Sequence, residues 1–320
     1  MRFLALLLAV AVAAPLRAQA PSPHAIEIPR WFTETFLDLP HDVHEAAAVG
    51  RRVMLYFGQD GCPYCTALMQ TNFSQRAIVD KTRRHFVAIA LNLWGDRGAV
   101  WLDGHRMSEK ELGRMLRVQF TPTLLFLDEK GAVVLRLNGY LPPHRFEAAL
   151  DYAAGLAGKG MRYEEYIRNV LKEPASATLH EEAFFAKPPV ALAGAKPVAL
   201  LFETPYCAGC DELHREGLRR PEVRKLLERF VVYRLTLNDK RSPESTWARE
   251  LRVAYTPTIV FFERGNEVFR IEAYMRPFHL ASALEYVASG AYRKELSFQR
   301  YLQARAERMR GRGEKVDLWN

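Results

Sequence analysis

The chain has 320 residues, 49% of them hydrophobic, and carries a formal net charge of +8. This length is sufficient for two domains, each with its own core. The positive charge is spread along the chain, which does not favour a nucleic-acid-binding groove. The 4 cysteines are too few for a scaffold held together mainly by disulfides, so we look for their role in their spacing.

The N-terminus is typical of an export signal. Arg2 is followed by an apolar run over residues 3–14 and by the small-residue tripeptide Ala-Gln-Ala at 18–20. This pattern predicts a cleaved signal peptide over residues 1–20, with a mature chain that begins at Pro21. The apolar run is too short to span a bilayer comfortably, and an uncleaved anchor is the alternative. We therefore expect a soluble exported protein located in the periplasm.

Short apolar runs rich in β-forming residues, bounded by turn residues, predict strands in both halves of the chain. The first strand of each half ends five residues before a Cys-X-X-Cys motif. Leu68 and Met69 follow the first motif at helical spacing, and Leu213 follows the second. A helix is therefore expected to begin at the first cysteine of each motif. The predicted strands cover residues 53–57, 86–93, 124–127, 198–202, 230–237 and 259–262.

Capping signals predict the later helices. Ser108 with Glu111 three residues later is a capping-box sequence. In the second half, Ser242 is expected to be the N-cap of the corresponding helix, and Pro243 its first residue. A final helix is expected after Pro143 and Pro277. Near the C-terminus, apolar residues are expected to bury one face against the second half, and they are Leu296, Phe298, Tyr301 and Leu302.

The two halves are copies of one domain. Residues 116–123 (LRVQFTPT) match residues 251–258 (LRVAYTPT), and the first copy has about ten extra residues around Trp94, expected to form a shaped loop with an ion pair. From these patterns we predict five segments: a signal peptide over 1–20, a first domain over 21–155, a linker with one helix over 156–197, a second domain over 198–290 and a C-terminal helical extension over 291–320.

The cysteine pairs have the spacing of redox centres. A helix N-terminus lowers a thiol pKa, so Cys62 and Cys207 are placed to act as nucleophilic thiolates. Cys65 and Cys210 lie one turn further along, where each can attack a mixed disulfide. A zinc ribbon would require the two pairs to be about 15 to 20 residues apart. Two further interpretations are a purely structural disulfide at each pair and metal handling that involves Met69.

The order strand, Cys-helix, strand, helix, Thr-Pro, hairpin, helix resembles the thioredoxin fold. This resemblance implies the α/β class, with two tandem thioredoxin-like domains, each a central mixed β-sheet flanked by helices. It also implies that Pro122 and Pro257 are cis and lie against the sulfurs. The preceding Thr121 and Thr256 are then expected to pair through their backbones with an extended substrate segment.

The first copy also resembles the SoxW-type periplasmic thioredoxins associated with sulfur oxidation. The motifs that carry this resemblance are GCPYC at 61–65, NLWGDR at 92–97, DG at 103–104, SEKEL at 108–112, FTPT at 120–123 and GYLPP at 139–143. The resemblance implies a reductase of exported proteins that is kept reduced by a membrane electron carrier of the CcdA or DsbD type.

One departure from ordinary thioredoxins concerns the proton acceptor of the resolving cysteine. Thioredoxins typically bury an aspartate six residues before the first cysteine, where this chain has Tyr56 and Leu201. Glu203 is a candidate replacement in the second copy, with a surface salt bridge as the alternative. The histidines show no ligand spacing, and His214 is expected to lie at the surface or to cap a helix.

We therefore predict a periplasmic thiol-disulfide oxidoreductase, most simply a reductase of disulfides in exported proteins. No cofactor beyond the redox-active disulfides, no metal and no nucleic-acid partner is expected. The second pair either re-reduces the first or serves separate substrates. The protein could instead be a disulfide oxidase or isomerase, or combine one redox domain with one partner-binding domain.

Overall fold

The computed structural model describes residues 26–155, 157, 159–239 and 241–319. The predicted signal peptide lies outside these residues. No helix in the described part of the chain combines the length and the apolar character needed to cross a membrane.

The first domain is built on a four-stranded mixed sheet. Its strands are β1 Arg52–Gly58, β2 Phe86–Asn92, β3 Gly98–Val100, β4 Arg106–Ser108, β5 Thr123–Leu127 and β6 Val133–Asn138. Its helices are α1 Leu39–Ala48, α2 Pro63–Ala67, α3 Arg76–His85, α4 Glu109–Met115 and α5 Pro143–Gly155. The sheet order is β2-β1-β5-β6, with β1 parallel to β2 and antiparallel to β5.

The linker contains helix α6, Tyr163–Leu171, and its end pairs with the second sheet through Ala186 and Val232. The second domain has strands β7 Val198–Glu203, β8 Val231–Thr236, β9 Thr258–Glu263 and β10 Asn266–Glu272. Its helices are α7 Ala208–Glu212, α8 Pro221–Leu227, α9 Pro243–Glu250 and α10 Pro277–Ala288, and α11 Phe298–Gly311 follows them. The sheet order β10-β9-β7-β8 mirrors that of the first domain. Two thioredoxin-like sheets flanked by helices are therefore present, as predicted.

The first strand of each domain is buried along its whole length, and its central residues are apolar, because helices cover both faces of its sheet. In β1, Leu55 and Phe57 pack in one core, while Met54 and Tyr56 pack in the core on the opposite face. The same alternation divides β7 between two cores. Burial on both faces explains why a continuous apolar run, without polar alternation, was a reliable strand signal here.

The insertion of the first copy forms the β3–β4 hairpin and the loop before it. Arg97 makes the expected ion pair, since its guanidinium lies 2.6 Å from the carboxylate of Glu109, which is almost fully buried. Trp94 donates its indole N–H to Gln59, and its ring lies under the guanidinium of Arg300 in α11. The inserted loop thus contacts both the first cysteine segment and the C-terminal helix.

At equivalent positions of the repeat, each domain places one aromatic side chain against the core of the other domain. Phe120, two residues before Pro122, packs in the core of the second domain against Phe269 and Phe298. Tyr255, two residues before Pro257, packs against the core of the first domain, and its hydroxyl accepts the backbone N–H of Arg136 at 3.0 Å. Both Thr-Pro loops therefore lie at the interface between the domains.

Helix α11 buries the predicted face, with one exception. Phe298, Tyr301 and Leu302 are buried, whereas Leu296 is 73% exposed, so its predicted burial is wrong. The physical reason is that α11 begins only at Phe298, after the N-cap Ser297, and Leu296 therefore lies outside the helical periodicity. The helix also reaches the first domain, because the Gln299 side chain accepts a hydrogen bond from Gln59 and donates one to the carbonyl oxygen of Gln119.

Candidate active sites

The first cysteine pair lies at the start of a helix. Cys62 is the N-cap of α2, and the backbone N–H of Cys65 donates to Cys62 Sγ at 3.1 Å. The two cysteines form a disulfide. Cys62 Sγ also lies 3.4 Å from the carbonyl oxygen of Thr121. The helix start thus directs an N–H group at the sulfur expected to carry negative charge when the pair is reduced.

The second pair repeats this geometry. Cys207 is the N-cap of α7, the N–H of Cys210 donates to its sulfur at 3.1 Å, and the two cysteines form a disulfide. The hydroxyl of Thr256 lies 3.6 Å from the same sulfur. Both helices continue as π-helical turns, over Leu68–Asn72 and Leu213–Leu218.

Both Thr-Pro bonds are cis, as the thioredoxin resemblance implies. Pro257 lies close to the insert of the second motif, because a Cβ atom at Gly209 would be 3.2 Å from its Cδ. A larger residue at Gly209 would therefore displace the proline loop. This close approach explains why glycine is present within a helix start, where its propensity is poor.

These arrangements can carry out thiol-disulfide exchange. Backbone N–H groups at a helix start favour a thiolate over a thiol, because hydrogen bonds to the charged sulfur are stronger. In each pair the second cysteine is buried behind the first, so the outer sulfur meets a partner and the inner sulfur resolves the mixed disulfide.

The first site is covered by the second domain and the C-terminal segment. Cys62 is only 4% exposed, and it lines a cavity of about 550 Å³ closed by residues of α10, α11 and Leu318. The hydroxyl of Tyr64 donates to the carbonyl oxygen of Leu318, and the Tyr64 ring lies 4.6 Å from that of Trp319. These contacts place a short segment of the chain where a partner protein would have to approach.

The second site is more open, and the linker helix borders it. Cys207 is half-buried and lines a cavity of about 180 Å³ together with residues of α6. Glu164 of α6 accepts both the backbone N–H and the hydroxyl of Thr256, the latter at 2.8 Å. Burial raises the pKa of Glu164, although the hydrogen bonds from Thr256 oppose the rise. The N–H expected to pair with a substrate is therefore occupied by a side chain of the linker.

A third cavity, of about 210 Å³, lies between the two sites. It shares Tyr64 and Thr121 with the cavity at Cys62, and Gly209 and Thr256 with the cavity at Cys207. Residues of both Thr-Pro loops therefore line this cavity.

The proton-acceptor positions differ between the sites. Tyr56 is 1% exposed, its hydroxyl has no hydrogen-bond partner among the described residues, and burial raises its pKa. Glu203 is also 1% exposed, so a surface salt bridge is the wrong interpretation of it. It ends β7 and accepts from Nε2 of His214 at 2.9 Å, while its other oxygen has no partner in the described structure.

His214 is buried, and the expectation of a surface or capping role for it is wrong. It lies four residues after Cys210, one helical turn further, and so faces the same side as that cysteine. This spacing is the sequence signal that could have revealed it. Its Nδ1 contacts Glu182 at 3.1 Å, and its ring stacks on that of His180 at 4.6 Å. Burial lowers the pKa of His214, but Glu203 and Glu182 outweigh it, and the net pKa is raised.

The His214 pKa predicts a pH-dependent stability. The pKa of His214 is higher in the folded protein than in the unfolded chain, where it is about 6.5. The stabilisation of the fold by protonated His214 is therefore fully present below pH 6.5 and is lost as the pH rises through the folded pKa. We expect His214→Gln to cost about 3 kcal/mol or more at pH 6, the usual cost of removing one partner of a buried ion pair. Urea unfolding should show that the difference in unfolding free energy between the variant and wild type decreases towards alkaline pH.

His44, which is 81% exposed, provides the matched control. The His44→Gln variant should follow wild type at every pH. If the loss of unfolding free energy in His214→Gln stays constant from pH 6 to 9, His214 stabilises the fold by packing and not by charge.

No group of three or more His, Cys, Asp or Glu side chains within the described residues is arranged to hold a metal ion. Met69 is buried in the core of the first domain.

Several residues at the sites have no signal in the sequence. They come from elements distant in sequence and carry no local motif, and they are Glu164, His279, Gln299 and Trp319. Tyr64 lies within the first motif, yet its contact with the C-terminal segment has no sequence signal.

The model of a thioredoxin-like domain family matches residues 39–154 and 186–288. No curated protein matches the sequence at a significant level. Among solved structures, a thioredoxin-fold protein from Helicobacter pylori is 25% identical, with a TM-score of 0.33 over 38% of this chain and 81% of that chain. A thioredoxin from Thermus thermophilus is 29% identical, with a TM-score of 0.31 over 38% of this chain and 87% of that chain.

The C-terminal domain of DsbD from Neisseria meningitidis is also similar, at 22% identity and a TM-score of 0.24 over 28% of this chain and 79% of that chain. Two matched segments, each with a Cys-X-X-Cys disulfide at a helix start, establish thiol-disulfide oxidoreductase chemistry. The chain belongs to the family of thioredoxin-like domains and contains two of them in tandem.

Proposed function

We propose that this protein is a periplasmic reductase of disulfides in exported proteins. The observation that carries the proposal is the N-cap position of both outer cysteines, each with the N–H of its resolving cysteine at 3.1 Å. The export signal pattern at residues 1–20 supports the compartment. The SoxW-like motifs of the first copy support the direction of electron flow.

In this reaction the thiolate of Cys62 attacks one sulfur of a substrate disulfide. A mixed disulfide forms, and the other substrate sulfur leaves as a thiolate that takes up a proton. Cys65, as its thiolate, then attacks Cys62 Sγ. The Cys62–Cys65 disulfide forms and the second substrate sulfur is released. Two electrons pass from the pair to the substrate.

Regeneration requires a dithiol that returns two electrons to the oxidised pair. We propose a membrane electron carrier of the CcdA or DsbD type as this donor, and exported proteins with cysteines that must stay reduced as the substrates. The Cys207–Cys210 pair is the second redox site, and it either re-reduces the first pair or serves substrates of its own. The half-buried position of Cys207 supports exchange with a macromolecular partner at this site.

The reduction potential of each pair tests the direction. Each should be measured by equilibration with dithiothreitol or glutathione buffers, in mature protein whose other pair is replaced by serine. We expect a value near about −270 mV for Cys62–Cys65, as in thioredoxin. A value near about −120 mV would make the protein a disulfide donor and would refute the reductase proposal. If the second pair has no measurable exchange, that domain is a binding module.

A further inference from the structure

One histidine of the second domain lines the same cavity as the first cysteine pair. His279, on α10, lines the cavity of about 550 Å³ that also holds Cys62. Its ring lies 5.2 Å from the ring of Tyr64, which is two residues after Cys62. His279 is 9% exposed, and its Nδ1 is buried without a hydrogen-bond partner in the described part of the chain.

An unpartnered buried ring nitrogen is costly. Leaving a buried polar group unsatisfied costs about 1–3 kcal/mol, and an apolar side chain at the same place would avoid this cost. The neighbouring positions of α10 are mostly apolar and buried, for example Phe278 and Leu280. A histidine here therefore reduces stability and requires a functional explanation.

We propose that His279 is an acid–base group of the first cysteine pair, supplied by the second domain. In the reduced protein the Cys62 thiol transfers its proton to the imidazole, which leaves a thiolate beside an imidazolium. The thiolate attacks the partner disulfide as described above. When Cys65 attacks and the Cys62–Cys65 disulfide forms, Cys62 no longer becomes a thiolate. The imidazolium then gives its proton to the second substrate sulfur, which leaves as a thiolate in this step.

The oxidised structure fits the end of this cycle. Burial, with the positive charge of Arg276, lowers the pKa of His279 to about 4. The ring is then neutral at pH 7, as expected when no thiolate is present to stabilise the imidazolium. The proton transfer is independent of the direction of net electron flow, so the inference holds whether the protein is a reductase or an oxidase.

Other groups around the cavity are less suited to this role. Burial raises the pKa of Tyr64, and its hydroxyl is already bonded to Leu318. Glu307 lines the same cavity but is exposed to solvent. Charged or titratable side chains also surround His279. They include Tyr64 on α2 and Cys62 at its N-cap, Tyr274 and Arg276 before α10, Arg305, Glu307 and Arg310 on α11, Asp317 in the C-terminal segment, and Tyr140, Arg145 and Glu212 in the adjoining cavity.

The test measures the thiol pKa of Cys62 in protein with Cys207→Ser and Cys210→Ser. The iodoacetamide alkylation rate and the thiolate absorbance are recorded against pH for the parent protein, for His279→Gln and for Glu307→Gln. We expect His279→Gln to raise the thiol pKa by about one unit, which slows alkylation at neutral pH about tenfold. Glu307→Gln should leave the profile unchanged. Superimposable profiles for His279→Gln and the parent, or an equal shift in Glu307→Gln, would overturn the proposal.

A second measurement does not depend on whether the variant folds. The ring of His279 is titrated by NMR in the wild-type protein, once oxidised and once reduced. We expect a higher imidazole pKa in the reduced protein, since only then does a thiolate stabilise the imidazolium. Equal values in both redox states would refute the role, because a merely structural histidine does not respond to the redox state of Cys62.

Discussion

Cys207 is expected to react much faster than Cys62 with a bulky maleimide in the reduced protein. The reason is access: Cys207 is half-buried, whereas Cys62 is 4% exposed beneath α10, α11 and Leu318. Single-cysteine variants should be labelled with iodoacetamide and with a polyethylene glycol maleimide. For each cysteine, the labelling rate with the maleimide is divided by the rate with iodoacetamide. This ratio should be on the order of tenfold lower for Cys62 than for Cys207, because a local opening must precede labelling of Cys62 by the bulky reagent.

The ratio of the two reagents removes differences in intrinsic thiolate reactivity between the two cysteines. Removal of residues 313–320 should raise the bulky-reagent rate at Cys62 and leave that at Cys207 unchanged, because Tyr64 loses its contacts with Leu318 and Trp319. Equal ratios for the two sites in the full-length chain would show that the cover over Cys62 is absent in solution.

Phe298→Ala is expected to be the most destabilising single change at the domain interface. Phe298 is fully buried, and its ring lies 5.4 Å from that of Phe120, 5.1 Å from that of Phe269 and 5.4 Å from that of Tyr286. Truncation of a buried phenylalanine to alanine costs about 3–5 kcal/mol through lost burial and the cavity that remains. Urea unfolding followed by circular dichroism measures this loss.

Phe36 is the matched control, because the same residue type is 99% exposed there. Phe36→Ala should change the unfolding free energy by less than about 0.5 kcal/mol. The Phe298 variant should also label faster at Cys62, since α11 forms part of the cover over that site. Unchanged labelling in a destabilised Phe298 variant would mean that α11 does not control access to Cys62.

Local features of the fold followed directly from the sequence. The capping box at Ser108 is present, and both outer cysteines are N-caps, as the spacing of the following leucines predicted. These features depend on residues a few positions apart, whose contacts are set by helical or strand geometry. The strand β2 differs from its predicted range by a single residue.

Features that depend on long-range packing did not follow from the sequence. Glu203 and His214 form a buried pair from a strand end and a helix 11 residues later, which neither residue signals by itself. Leu296 is apolar yet exposed, because the helix begins two residues after it. Burial is a property of the whole packing arrangement, and residue type alone does not determine it.

The sequence by itself determined the chemistry of this protein: two Cys-X-X-Cys pairs at helix starts, each followed by a cis-proline loop in a repeated α/β domain. The tertiary structure decided which pair is accessible. The two motifs are nearly equivalent in their local geometry, with the same 3.1 Å hydrogen bond, yet their exposure differs. The physical reason is that exposure depends on what packs over each site, and the elements that cover Cys62 lie more than two hundred residues away in the chain.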